Sequence, residues 1–198
     1  KTNALNETWT YTYHSEFNKM TSKTDPKGNI TSYEYYASGN LHKITDALLK
    51  ETLFEYDSFG NQTKITDAYN KSIQKFYDIT GSNLDRIIDK NGNETLYDYD
   101  DLGNKTIITN AKGYIKNIDY DKNNLLVKQT DELNNSTTFV YDENKKISQK
   151  ILANGATYNY TYGVAKDIVT GALLKELTDP EGNKESYTYD KLGNKTQV

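Results

Sequence analysis

Along most of the chain, polar and apolar side chains alternate singly, in short runs broken by turn signals every 10 or 11 residues. The alternation is clearest around a recurring tyrosine. Two residues before it stand Tyr11, Tyr33, Phe54, Lys75, Tyr97, Ile118, Phe139, Tyr160 and Tyr187, seven of them aromatic. Between lie Thr12, Glu34, Glu55, Phe76, Asp98, Asp119, Val140, Thr161 and Thr188, most of them polar. A period of two places one set on one side of a pleated strand, whereas a helix needs a period of 3.6. A second run carries an aliphatic residue at Ile44, Ile65, Ile87, Ile108 and Leu177, interrupted at Gln129 and Lys150. Subtracting the turns leaves strands of about six residues, near the common length.

The pattern repeats. The tyrosine recurs at Tyr13, Tyr35, Tyr56, Tyr77, Tyr99, Tyr120, Tyr141, Tyr162 and Tyr189, mostly 21 residues apart. Ten residues before each from Tyr35 onward stand Asp25, Asp46, Asp67, Asp89, Asn110, Asp131, Leu152 and Asp179, where Leu152 is the exception. Both the tyrosine and this marker lead into an Asp-x-x-Gly turn, such as Asp25 to Gly28 and Asp57 to Gly60. Asp at the first position bonds its side chain to the backbone two residues on, and proline, as at Pro26 and Pro180, presets φ at the second. Glycine at the fourth position supplies the positive φ of a type I turn closed by a bulge. Asn70, Asn124 and Asn134 replace it acceptably, while Leu49 and Lys145 fit poorly and predict looser turns. Residues 163–171 add a longer loop, with the strand resuming near Ala172.

Two strands per repeat joined by tight turns make an antiparallel meander. The expected fold is all-β: tandem antiparallel β-hairpins in one array over 1–198, about eight repeats of 21 residues. About eighteen strands at ~4.8 Å spacing form a strip on the order of 85 Å along its curve, and strand twist coils it.

Composition sharpens this picture. Only 35% of the chain is hydrophobic, yet it holds 18 tyrosines, so aromatic cross-strand pairs replace a Leu- and Val-rich core. A net charge of −4 with dispersed lysines carries no electrostatic footprint for nucleic acid. There is no cysteine, hence no disulfide and no thiolate metal site, and no apolar stretch reaches the length of a membrane-spanning helix.

The Tyr-Asp-x-x-Gly-Asn turns at Tyr56 to Asn61, Tyr99 to Asn104 and Tyr189 to Asn194, with Thr66-Asp67 and Thr178-Asp179 as second markers, resemble the YD repeat, also called the Rhs repeat. The resemblance extends from about Trp9 to Val198. That family includes bacterial Rhs and wall-associated polymorphic toxins, the B and C components of Tc toxins, and teneurins. The resemblance implies a β-strip spiralling into a hollow shell, which in bacterial members encloses a C-terminal toxic domain. The expected partners are thus the rest of the shell and an enclosed toxin domain, in a secreted or cell-surface bacterial protein. The family's self-cleavage motif resembles Asp-Pro-x-Gly-Leu. Here Asn follows both Asp25-Pro26-Lys27-Gly28 and Asp179-Pro180-Glu181-Gly182, so neither is carried over as a cleavage site.

No catalytic, cofactor-binding or metal-binding residue is expected. His14 and His42 stand in different repeats, outside any nucleophile or ligand spacing. Asp98, Asp100 and Asp101 cluster, but turn chemistry explains aspartate there without calcium. Paired carboxylates recur on a polar face with nothing singling one pair out for glycosidase chemistry. The sequons at Asn29, Asn61, Asn93, Asn104 and Asn194 arise from the repeat's own Gly-Asn-x-Thr. The leading reading is a non-enzymatic structural segment of a shell. The alternative is an adhesion module whose tyrosine-rich face binds a glycan or cell-surface receptor. The array shows no capping unit, so the chain is read as an interior stretch whose open strand edges template edge-to-edge self-association.

Overall fold

The computed structural model describes residues 2, 7–163 and 173–197. Contacts divide the chain into two compact units, Lys1–Tyr99 with Asn110–Lys112, and Asp100–Thr109 with Gly113–Val198. No helix occurs among the described residues.

The first unit holds β1 (Thr10–Tyr13), β2 (Met20–Thr24), β3 (Ile30–Tyr35), β4 (Leu41–Thr45), β5 (Glu51–Tyr56), β6 (Gln62–Thr66), β7 (Ser72–Tyr77), β8 (Leu84–Ile88) and β9 (Glu94–Tyr99). Each pairs antiparallel with the next, as in Ser32 opposite Thr45 and Lys43 opposite Leu53. The second unit holds β10 (Lys105–Thr109), β11 (Ile115–Tyr120), β12 (Leu126–Thr130), β13 (Ser136–Tyr141), β14 (Ile147–Ile151), β15 (Thr157–Tyr162), β16 (Leu174–Thr178) and β17 (Lys184–Ser186), again paired in succession. A separate hairpin joins β18 (Thr188–Tyr189) to β19 (Lys195–Gln197). Tandem antiparallel hairpins are therefore the fold, and strands of five and six residues alternate from β2 to β16.

The alternating positions become cross-strand partners. Tyr33 faces Ile44, Phe54 faces Ile65, and Tyr160 faces Leu177. Where the pattern breaks on one strand, the other supplies an apolar residue: Lys75 faces Ile87, Gln129 faces Ile118, and Lys150 faces Phe139. A lysine stem lies readily along such a surface while its ammonium stays in water. The opposite side of the first unit is laced by charge. Lys43 bridges Glu34 at 2.7 Å and Glu51 at 3.2 Å, Lys64 meets Glu55 at 3.1 Å, and Arg86 meets Glu94 at 3.0 Å. Among the described residues Ile118, 8% exposed, is the only buried hydrophobic, and no large side chain is fully enclosed. Burial here is lateral, between neighbours on one side of a sheet.

Two turns depart from expectation. Leu49 and Lys145 do not loosen their turns. They adopt φ of 59° and 62°, and the bonds closing the turns, Leu49 N to Asp46 O and Lys145 N to Asp142 O, are both 3.0 Å. The reason is the aspartate that opens each turn. Asp46 Oδ1 accepts from Leu48 N at 2.8 Å and Lys50 N at 2.9 Å, and Asp142 Oδ1 accepts from Asn144 N and Lys146 N at 2.9 Å. Those bonds and the flanking strands hold a left-handed residue that costs roughly 1–2 kcal/mol. Leu49→Gly is therefore expected to raise stability by about 0.5–1 kcal/mol, the relief of strain less the entropy that glycine adds to the unfolded chain. Urea unfolding measures it, and an unchanged or lower midpoint would show that Leu49 is unstrained.

Of the longer loop expected at 163–171, residues 164–171 lie outside the described residues, as does Ala172. On its flanks Gly163 N donates to Leu173 O at 3.1 Å.

Candidate functional site

The repeated chemistry sits at the turns and at the tyrosine beside one set of them. In the fullest copies the aspartate is gripped from three directions. Asp25 accepts Lys27 N at 2.8 Å and Asn29 N at 2.9 Å on Oδ1, and Asn29 Nδ2 at 2.7 Å on Oδ2. The same side-chain clamp joins Asn93 to Asp89, Asn135 to Asp131, Asn183 to Asp179 and Asn194 to Asp190 at 2.7–3.0 Å. The Asn after the glycine is thus a working part of the turn. The Tyr-Asp-x-x-Gly-Asn motif contains this Asn, but its bond back to the aspartate is not legible from the motif. The turn at Leu152 closes without any carboxylate, Gly155 N reaching Leu152 O at 2.9 Å, and Asn154 Oδ1 takes Ala156 N at 3.0 Å in compensation.

Asn side-chain donation, reinforced by backbone N–H groups, holds the carboxyls of Asp25, Asp89, Asp100, Asp131, Asp179 and Asp190 below their ordinary value. A carboxyl depressed in the folded state adds stability above its unfolded pKa and loses it as pH falls through the folded one. The thermal midpoint is therefore expected to fall steeply below about pH 4, the ordinary Asp range. Replacing Asn93, Asn135 and Asn183 by Ala should flatten that acid limb, and an unaltered limb would place the acid sensitivity elsewhere.

The repeat tyrosine has a second, regular role. Its hydroxyl donates to the backbone carbonyl 15 residues earlier: Tyr35 to Met20 at 2.7 Å, Tyr77 to Gln62 at 3.4 Å, Tyr99 to Leu84 at 2.9 Å and, in the second unit, Tyr120 to Lys105 at 3.3 Å. Tyr141 to Leu126 at 2.7 Å, Tyr162 to Ile147 at 2.9 Å and Tyr189 to Leu174 at 2.8 Å continue it. Each acceptor is the first residue of a strand, the preceding one in every case but Leu174, which opens β16 while Tyr189 ends β18. The bond is a strut between one hairpin and the one before it, at the end where no turn connects them. Opposite Tyr13, Tyr35, Tyr56, Tyr77, Tyr120, Tyr141, Tyr162 and Tyr189 the returning strand carries one extra residue, as at His42 beside the Glu34–Tyr35 step and Ser148 beside the Val140–Tyr141 step. Such a bulge bends the returning strand. Burial pushes the hydroxyls of Tyr35, Tyr77, Tyr99, Tyr141 and Tyr162 above their usual pKa, which keeps them as donors.

The turns also touch one another. Asn61 Nδ2 donates to Gly81 O at 2.8 Å, Lys19 Nζ to Gly39 O at 2.6 Å, and in the second unit Asn104 Nδ2 donates to Asn124 Oδ1. On the other edge of the first unit Lys90 bridges to Asp67 at 2.6 Å and Lys50 to Tyr69 OH at 3.1 Å.

His14, His42 and Asp100 make local contacts of this kind. His14 stacks on Phe17 with ring centroids 4.5 Å apart, and His42 lies against Tyr36 at 4.4 Å. Asp100 accepts Leu102 N at 3.0 Å and Asn104 N at 2.9 Å. No group of three or more His, Cys, Asp or Glu gathers as a metal site among the described residues. Asp25 and Asp179, which head the two Asp-Pro turns, are held by Asn29 and Asn183. Among the described residues no helix is long and apolar enough to cross a membrane.

The family model described as RHS Repeat matches residues 35–71 and 120–157. No curated protein sequence matches the chain. Among solved structures the chain is similar to the complex TcdB2-TccC3-Cdc42, with a TM-score of 0.66 and 16% identity, covering 96% of this chain and 13% of that one. TcdB2-TccC3 matches with a TM-score of 0.59 and 16% identity, over 96% of this chain and 13% of that one. The Photorhabdus luminescens Tc holotoxin pore matches with a TM-score of 0.58 and 15% identity, over 94% and 13%. The chain thus spans about an eighth of the length of these structures, and the likeness concerns the fold.

Proposed function

We propose that this chain, which carries RHS repeats, is a structural segment of a larger shell that encloses a toxic domain C-terminal to it and helps deliver it. The observation that carries the reading is the commitment of the repeated residues to holding hairpins together. Seven repeat tyrosines spend their hydroxyls on backbone carbonyls, and the turn aspartates spend their carboxylates on turn N–H groups. A wall needs only that. The similarity in fold to Tc toxin assemblies supports it further. On this reading residues 1–198 form one array of about eight repeats within a longer, secreted or cell-wall-associated bacterial protein, and the segment is not itself an enzyme.

An adhesion module gripping a glycan or surface receptor has less support. Sugar stacking needs open aromatic faces, and most tyrosines of the strands are half-buried against their neighbours. The test is limited proteolysis of the full-length protein. The region following the array should resist protease until the array is unfolded, and become digestible when the array is deleted. Equal digestion with and without the array would overturn the reading.

A further inference from the structure

From β3 onward, one repeat tyrosine lacks the strut among the described residues. Tyr56 stands 15 residues after Leu41, the first residue of β4, yet among the described residues no hydrogen bond joins its hydroxyl to that carbonyl. The cause lies in the turn before it. Six of the nine repeat tyrosines are followed by Asp, but Tyr35 is followed by Tyr36. The turn still closes, Gly39 N reaching Tyr36 O at 2.8 Å, with Ser38 Oγ a distant stand-in for the carboxylate at 3.4 Å from Asn40 N.

The Tyr36 side chain, free of any turn duty, instead crosses the start of β4. Its ring lies on His42 at 4.4 Å and meets the edge of Tyr56 at 6.2 Å, and its hydroxyl donates to Phe54 O at 3.1 Å. It therefore occupies the space over β4 that a Tyr56 strut would use, and it ties β5 two residues in from the strand's end. Beneath it His42 Nδ1 is buried without a hydrogen-bond partner. Beside it a surface groove of about 780 Å³ separates the turn of Ser38 and Asn40 from that of Phe59 and Gly60, against about 450 Å³ for the groove that Phe59 and Ile79 line beside β6 and β7. A missing strut, an unpaired buried polar atom and the wider groove coincide at one joint.

We infer that the joint between β4 and β5 is a built-in weak seam of the first unit, opening before the equivalent joints β6–β7 and β8–β9. This goes beyond the shell reading and does not depend on it. Regions of low local stability are where a fold yields first. Hydrogen exchange on the chain tests it. Amides of residues 41–44 and 53–56 are expected to exchange at least tenfold faster than those of residues 62–65 and 74–77, or of 84–87 and 96–99. Tyr56→Phe should leave the β4–β5 rates within twofold, whereas Tyr99→Phe should speed the β8–β9 amides severalfold. Tyr36→Asp restores the turn carboxylate, clears the space over β4 and should slow β4–β5 exchange. Equal or slower exchange at β4–β5 in the unaltered chain would overturn the inference. So would acceleration by Tyr56→Phe to the extent seen with Tyr99→Phe, or faster β4–β5 exchange in Tyr36→Asp.

Discussion

Gly81→Ala is expected to cost about 2–4 kcal/mol, well beyond the roughly 1 kcal/mol of an ordinary left-handed glycine, because two penalties meet there. Gly81 has φ of 73°, which disfavours any side chain. A Cβ at that position would also lie 2.6 Å from Phe59 Cγ and Cδ2 and 3.1 Å from Phe59 Cβ. Rotating the ring outward relieves the first two contacts but not the third, and forfeits the packing of one turn on the next. Gly92 is the control. Its φ is 85°, but a Cβ there meets nothing within 4 Å, so Gly92→Ala carries the backbone cost alone. Adding Phe59→Ala to Gly81→Ala should recover most of the difference. Urea unfolding of the four proteins measures it, and equal losses for Gly81→Ala and Gly92→Ala would mean that the Phe59 contact has no energetic weight.

Removing two struts from the second unit, by Tyr141→Phe with Tyr162→Phe, is expected to lower stability by about 2 kcal/mol, near 1 for each hydroxyl and its stranded carbonyl. The two bonds, 2.7 Å to Leu126 O and 2.9 Å to Ile147 O, share no partner, so their losses should add. Tyr13, 58% exposed and making no such bond among the described residues, should tolerate Phe without loss. The struts also set an alkaline limit. Burial raises Tyr141 and Tyr162 above the ordinary tyrosine value, so the folded state prefers the protonated phenol. That contribution is complete below the unfolded pKa of about 10 and disappears as pH rises through the higher folded value. The unaltered chain should lose stability above about pH 10, and the double variant should lose less of it over the same range. Parallel alkaline limbs in the two proteins would show that these hydroxyls do not govern it.

The sequence by itself determined the hairpin array, its period and the kind of turn at each end of a strand. These are local properties: alternation reports which side of a strand a residue occupies, and Asp-x-x-Gly encodes a backbone shape within four residues. The pairing of Tyr33 with Ile44 and Phe54 with Ile65 follows from that period once the turns are placed. What only the tertiary structure decided lies between repeats. That Tyr141 reaches the Leu126 carbonyl, that Asn61 reaches Gly81, and that Tyr36 displaces the Tyr56 strut all depend on how one hairpin is set beside the next. A bulge on the returning strand lies opposite the tyrosine, and no residue type announces that bulge. The tightness of the Leu49 and Lys145 turns was likewise hidden, because local preference opposes it. The aspartate bonds and the flanking strands outweigh a strain of about 1–2 kcal/mol, an outcome set by many contacts acting together rather than by the residue at that position.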